Sequence, residues 1–355
     1  MVLLERHIVT TLIGPPVGHC YGHHFSDPLS RLAFQRALAL VGAAPGTMIY
    51  GNTTAYRGRP AANFASLSNY LLVDAAGQIS QPTGHAINAV PVTENERIPE
   101  IDEVVEAQLF AGRMAELAPG WLALIDPAPV DAMAARIVAG GQAFAEAALQ
   151  GLARQGVDTS CPFQLLLSLR RMGARRLEAL FGAGEPDLAA PGGRIPVVAA
   201  TILSELAEMA DHALKGQPAS QNLRGLRVMV ATSDVHEHGK MLVEEILRRL
   251  GVTILDGGVS TDPAVLAERV RRDRPDAVAI STYNGIALRY FQALRAAGVE
   301  SPVLIGGRLN QIPEGSNSSL PVDVGDELAQ AGALVCRAAA DLAPALSRLA
   351  AQHPG

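Results

Sequence analysis

From about residue 225 onward, short uninterrupted apolar runs alternate with amphipathic stretches. Residues 226–231 (LRVMVA), 252–255, 277–281 (AVAIS) and 303–305 are of strand length and carry no polar alternation. Such runs predict strands buried on both faces, the pattern of a parallel sheet covered by helices. Between them, Met241, Leu242, Ile246, Leu247 and Leu250 fall at helical spacing over 240–250, and further helices are predicted over 262–273 and 286–297. Gly306 and Gly307 close the fourth run, and one long Ala-rich helix is predicted over 326–346. Four β–α units of this size predict a flavodoxin-like, doubly wound parallel α/β domain over 225–355.

The first two hundred residues are less regular. Strand-like runs at 7–13, 47–50 and 85–92 alternate with helical stretches at 28–41, 61–73 and 101–117, and from 130 to 214 the pattern is mainly helical. A complete (β/α)₈ barrel takes about 250 residues, so three β–α units predict a partial β/α barrel-like domain with a helical extension over 1–214. Residues 215–224, including Lys215, Gly216, Gln217 and Pro218, are small, polar and broken by Gly and Pro, and read as a linker.

Composition then excludes whole classes of function. The chain has 355 residues, 48% of them hydrophobic and 18% charged, with a formal net charge of −6 and a mean hydropathy of +0.18. That is apolar enough for real cores and too evenly charged for wholesale disorder. Mild acidity without a Lys/Arg block argues against a nucleic-acid or membrane partner. No stretch reaches the roughly 18 apolar residues of a membrane span, and Glu5, Arg6 and His7 stand where a signal peptide needs apolar residues. Cys20, Cys161 and Cys336 lie far apart and cannot all pair, so reduced thiols and a cytoplasmic location are expected.

The segment with chemistry in it is Ser233–Lys240, which follows the first strand of the second domain and opens its first helix. In a doubly wound sheet this loop lies at the carboxyl edge, where ligands bind. An imidazole there offers one nitrogen to a metal while a carboxylate holds the proton on the other. Asp234 and His236, two residues apart, are placed to form that pair, and Gly239 lets a bulky ligand approach the backbone. His238 is expected to face solvent, and Lys240 either reaches back toward Asp234 or stands exposed.

Asp234, His236 and Gly239 resemble the Asp-x-His-x-x-Gly signature of cobalamin-binding domains. Ser281 matches the serine of that family's Ser-x-Leu motif, with Tyr283 in place of the leucine, and Gly306 and Gly307 match its paired glycines. The resemblance covers about residues 223–346. It implies cobalamin as cofactor, with His236 as the lower ligand of cobalt. It also implies a slot between sheet and helix for the displaced nucleotide tail.

In the first domain, residues 82–99 (PTGHAINAVPVTENERIP) resemble the last strand and loop of the glutamate mutase (methylaspartate mutase) large-subunit barrel. Glu94 and Ile98 match positions that touch the adenosyl group in that family, while a family lysine is Val90 here. The matched part begins in the second half of the barrel. The family's substrate-gripping arginines and catalytic glutamate therefore have no counterparts here, and no catalytic residue is assigned. Unpaired strand edges need cover, so a homo-oligomer or a second subunit completing the barrel is expected. His19, Cys20, His23 and His24 offer zinc-type ligands, but no distant pair completes a site. Residues 52–57 line either a substrate pocket or a plain turn. Arg170, Arg171, Arg175 and Arg176 form a solvated or interface stripe, and Gly182–Gly184 stops a helix.

Two functions follow from these resemblances. The first is an adenosylcobalamin-dependent carbon-skeleton isomerase of the glutamate mutase type, or a component of one. It works by radical rearrangement on a small-molecule substrate such as an amino acid. The alternative is a corrinoid-binding module without isomerase activity, either a methyl carrier or a cobalamin-responsive regulator.

Overall fold

The computed structural model describes residues 1–51, 53, 56, 58–187, 192–217, 223–312 and 321–352. The chain divides into two compact units, one of Met1–Leu166 and Leu177–Leu203, the other of Leu167–Arg176 and Ser204–Gly355. Residues 218–222 of the expected linker, and Asn52, Thr54, Ala55 and Arg57 of the expected pocket or turn, lie outside the described residues.

The first unit opens with α1 (Val2–Arg6), which continues as wider helical turns over His7–Ile13. A strand was expected over 7–13. The β-branched residues there yield to an i, i+4 pair, Leu4 and Ile8, whose side chains are both buried. The first strand instead is β1 (Cys20–Tyr21), followed by α2 (Pro28–Leu40), β2 (Met48–Tyr50), α3 (Pro60–Ser80), β3 (Ala86–Asn88), α4 (Ile101–Leu122) and α5 (Pro127–Arg154). Helix starts follow local chemistry: Asp27 caps the N–H of Ser30 ahead of Pro28, and Glu100 and Glu103 form a reciprocal capping box.

The three strands are parallel and ordered β1-β2-β3, as successive β–α units of a barrel wall would be. Tyr21, Ile49 and Ile87 pack with Phe34 and Leu38 of α2 on one face. Cys20, Met48 and Ala86 are exposed on the other. Helix α2 packs on α5 and α3 on α4. Helix α6 (Pro162–Phe181) is broken at Gly173, whose φ of 73° and ψ of 164° interrupt the helix. Its first and last turns belong to the first unit, where Phe181 fills the space left by the missing side chain of Gly151.

The second unit begins with most of α7 (Ile202–Leu214) and then runs β4 (Arg227–Thr232), α8 (Glu237–Arg249), β5 (Thr253–Gly258), α9 (Pro263–Asp273), β6 (Ala277–Thr282), α10 (Ala287–Ala296) and β7 (Val303–Gly307). A small antiparallel pair, β8 (Asn310–Gln311) and β9 (Val322–Asp323), precedes α11 (Gly325–Gln330), β10 (Leu334–Cys336) and α12 (Leu342–Gln352). The single helix expected over 326–346 is thus two helices around a fifth strand. Gly332, at φ +90°, makes the break that Ala-rich composition concealed.

The five-stranded sheet is wholly parallel, in the order β10-β7-β6-β4-β5. This is the flavodoxin-like, doubly wound arrangement. Side chains alternate between two cores. Met229, Val278, Ile280 and Val303 meet α9, α10 and α11 on one face. Val228, Val230, Ala277 and Leu304 meet α7, α8 and α12 on the other. All six residues of β6 are buried, as a central strand covered on both sides must be. Among the described residues, no helix is long and apolar enough to cross a membrane, and the three cysteines are free.

Candidate functional site

The sheet order reverses between β4 and β6, and a doubly wound sheet opens a crevice at the carboxyl end of that switch point. The loop after β4 carries Asp234 and His236, and the loop after β6 carries Tyr283 and Asn284. Asp234 joins them. Its Oδ1 accepts the backbone N–H of His236 at 2.9 Å and lies 2.7 Å from the ring Nδ1. Its Oδ2 accepts the N–H groups of Tyr283 at 2.8 Å and Asn284 at 3.2 Å. Burial alone would raise the Asp234 carboxyl. The hydrogen bonds from His236, Tyr283 and Asn284 outweigh it and hold the group below the usual carboxylate range.

The pair therefore divides its roles by exposure. The Asp234 side chain is 6% exposed and that of His236 is 45% exposed. An ionised carboxylate on Nδ1 keeps the proton there and leaves the Nε2 lone pair for a ligand, as a second-shell carboxylate does for a metal-binding imidazole. The Tyr283 ring lies on the imidazole with centroids 4.4 Å apart, and the Arg308 guanidinium stands 5.5 Å from the Tyr283 ring centre. Sequence spacing gave no sign of either contact, because both partners sit on separate β–α loops.

His236 is the N-cap residue of α8. Gly239, in its first turn, lies against Ser281 at the end of β6, so close that a Cβ on Gly239 would stand 2.1 Å from Ser281 Oγ. A side chain there would force the Ser281 hydroxyl to move. Gly307 has φ +101°, and a Cβ there would stand 2.3 Å from the Thr282 carbonyl oxygen; at Gly306 a Cβ would meet the Cys336 carbonyl at 2.9 Å. Asp234, His236, Gly239, Ser281, Tyr283, Gly306 and Gly307 thus all lie on β6, β7, the turns that leave β4 and β6, or the first turn of α8, within the second unit.

Lys240 is neither exposed nor turned toward Asp234. It is buried, with Nζ 2.5 Å from Glu244 Oε1 and 3.1 Å from Asp256 Oδ1. Burial opposes its charge, but those two carboxylates hold its pKa above the usual lysine value. The i, i+4 spacing to Glu244 was visible in sequence; the second partner, Asp256 on β5, was not. His238 is half-buried.

Glu94 and Ile98 lie in the first unit, both exposed, on the turns between β3 and α4. His19 is buried with Nδ1 2.6 Å from Glu5, and His23 and His24 stack at 4.0 Å. Among the described residues no three His, Cys, Asp or Glu side chains are grouped to hold a metal ion. Arg170 and Arg175, read from sequence as a solvated or interface stripe, bind Ser260 and Glu244.

No protein-family model and no curated protein matches the chain. Among solved structures, a novel cobalamin-binding protein from Desulfitobacterium hafniense DCB-2 aligns at 23% identity and a TM-score of 0.28. That alignment covers 35% of this chain and 58% of the other, so this chain spans little more than half of that protein's length. The methanol:cobalamin methyltransferase complex MtaBC from Methanosarcina barkeri aligns at 16% identity and a TM-score of 0.30, over 84% of this chain and 86% of the other. Both TM-scores are below one half, so fold and site rest on this chain's own geometry.

Proposed function

We propose that this chain binds a corrinoid, with His236 as the lower ligand of cobalt. The observation that carries the reading is the Asp234–His236 pair at the switch point, with Nδ1 held and the ring half exposed. The donor set fits: a neutral imidazole with an anchored proton is the form that ligates a transition metal. The glycines fit too, because Gly239, Gly306 and Gly307 let the first turn of α8 and the end of β7 pack closely against Ser281, Cys336 and Thr282 beside that pair. When bound, a corrinoid supplies either homolysis of a cobalt–carbon bond or transfer of a methyl group. Asp234 fixes the tautomer of His236, Tyr283 steadies the ring by stacking, and Ser281 with the paired glycines lines the approach along the sheet edge.

For the reaction, we propose an adenosylcobalamin-dependent carbon-skeleton isomerase of the glutamate mutase type, or a component of one, acting on a small amino-acid-like substrate. Support comes from the first unit's sequential parallel strands, with helices on one face and Cys20, Met48 and Ala86 exposed on the other. A parallel sheet is normally covered on both sides, so a second subunit or a second copy is proposed to cover it. Glu94 and Ile98 are the residues proposed to touch the adenosyl group. One observation favours the methyl-carrier reading: α7 and the segment Leu167–Arg176 pack with the second unit as helices upstream of its sheet.

The test is a visible spectrum of the protein mixed with adenosylcobalamin, for wild type and His236→Ala. A bound corrinoid whose base-off, imidazole-ligated signature disappears in the variant is the expected result. A folded wild type that binds no corrinoid refutes the reading. Assays with glutamate or 3-methylaspartate, set against assays with a methyl donor, then separate isomerase from carrier.

A further inference from the structure

Glu237, the residue after the proposed cobalt ligand, turns its carboxylate away from its own helix. Oε2 accepts the N–H of Ala174 at 2.5 Å. Ala174 follows Gly173, where α6 is broken, so Glu237 serves as the cap for the helical turns that restart there. The fit leaves no slack on the other side of the bond. A Cβ on Gly173 would lie 2.2 Å from Glu237 Oε1 and 2.8 Å from Val259, and its φ of +73° is one that side-chain-bearing residues rarely adopt.

Two further contacts bind the same short segment to the turn after β5 and to α8, the elements on either side of that loop. Arg170 donates to Ser260 Oγ from Nε at 3.1 Å and from Nη2 at 2.5 Å. Arg175 pairs with Glu244 Oε2 at 2.7 Å, about two helical turns beyond Glu237 on α8. Ser260 is one of two non-glycine residues with positive φ among those described, at +47°. That conformation lets its N–H donate to the Asp234 carbonyl at 3.1 Å and to Thr232 Oγ1 at 2.9 Å. Strain of this kind persists where the surroundings over-determine it. Residues 170–175 therefore grip the His236 loop from both ends, through Ser260 beside Asp234 and through Glu237 beside His236.

We infer that Glu237, joined to the Gly173–Ala174 turn, is a positioning residue for His236, fixing the first turn of α8 and hence the direction in which the imidazole is presented. This rests on the corrinoid reading above. A carboxylate is suited to the task because it accepts without needing a donor in return, and an amide of the same shape retains one accepting oxygen. A methyl side chain retains none.

The test uses the full-length protein with adenosylcobalamin and four variants: Glu237→Ala, Glu237→Gln, Gly173→Ala and His236→Ala. Glu237→Ala and Gly173→Ala are expected to weaken corrinoid retention about five- to tenfold, the size of a lost helix cap, and to lower the imidazole-ligated fraction in the spectrum. Glu237→Gln is expected to keep most of both. Amide exchange on the corrinoid-free protein is expected to show faster exchange at Ala174 and in the first turn of α8 in Glu237→Ala, with the sheet unaffected. An unchanged imidazole-ligated spectrum in Glu237→Ala and Gly173→Ala, beside a spectrum lost in His236→Ala, overturns this inference and leaves corrinoid binding standing. Absence of corrinoid binding by wild type overturns both.

Discussion

His23 stands half-buried at the end of β1, stacked on His24. Burial first, and then the nearby His24 and Arg31, push its pKa down to about 4 from the usual 6.5. Between those two values the unfolded chain binds a proton that the folded chain does not, so stability rises with pH across the window. Acidification from about 6.5 to about 4 is therefore expected to lower the unfolding free energy, with the loss levelling off below. His23→Gln should flatten that slope, which urea unfolding at a series of pH values would measure; an unchanged slope would refute the assignment. Legibility at this scale depended on distance along the chain. Asp234 and His236 were paired from sequence because two residues of one loop are neighbours in any fold. Tyr283 on the imidazole, Ser260 behind Asp234 and Glu237 on Ala174 join residues tens of positions apart, and no local pattern announces them.

Among the elements, α2 shows how much one side chain can hold. Arg31 is buried, with Nε and Nη2 on the two oxygens of Asp74 from α3 at 2.6 and 2.7 Å. Its other N–H groups reach the carbonyls of Gly22, Phe25 and Tyr50, at the carboxyl ends of β1 and β2. Gln35, one turn along α2, also donates to Asp74 at 2.7 Å. Arg31→Met is expected to cost about 3–5 kcal/mol, because it strands a buried carboxylate. Adding Asp74→Leu should recover part of that loss, and denaturant unfolding of the single and double variants tests both statements. The sequence revealed the strands of the second unit clearly, since unbroken apolar runs bounded by helices have few other readings. It failed at 7–13, where β-branched residues pointed to a strand but burial of Leu4 and Ile8 made a helix, and at β10, whose three residues are too few to show a period inside an Ala-rich stretch.

For the whole molecule, two of the apolar surfaces that the first unit leaves uncovered among the described residues form rows. One is the row of Cys20, Met48 and Ala86 on its sheet; the other is the run of Ile101, Val105 and Leu109 on α4, at 84%, 51% and 72% exposure. Neighbouring exposed apolar residues four apart on a helix mark an association surface more than a solvent face. Light scattering of the purified protein is accordingly expected to return a mass above the 37.2 kDa of one chain, or the chain is expected to co-purify with a partner. A stable, folded monomer would argue against the proposed cover.

The second unit is not one continuous stretch of chain: residues 167–176 and most of α7 belong to it, although the linker expected from sequence lies beyond both. Leu206, Ala210 and Ala213 of α7 are buried in its core. A genetic exchange that joined this sheet to a new neighbour at residue 225 would thus leave behind a helix from its core and the clasp on its ligand loop. The unit of inheritance is larger than the unit of fold, and successful recombinants should carry their junction upstream of α6.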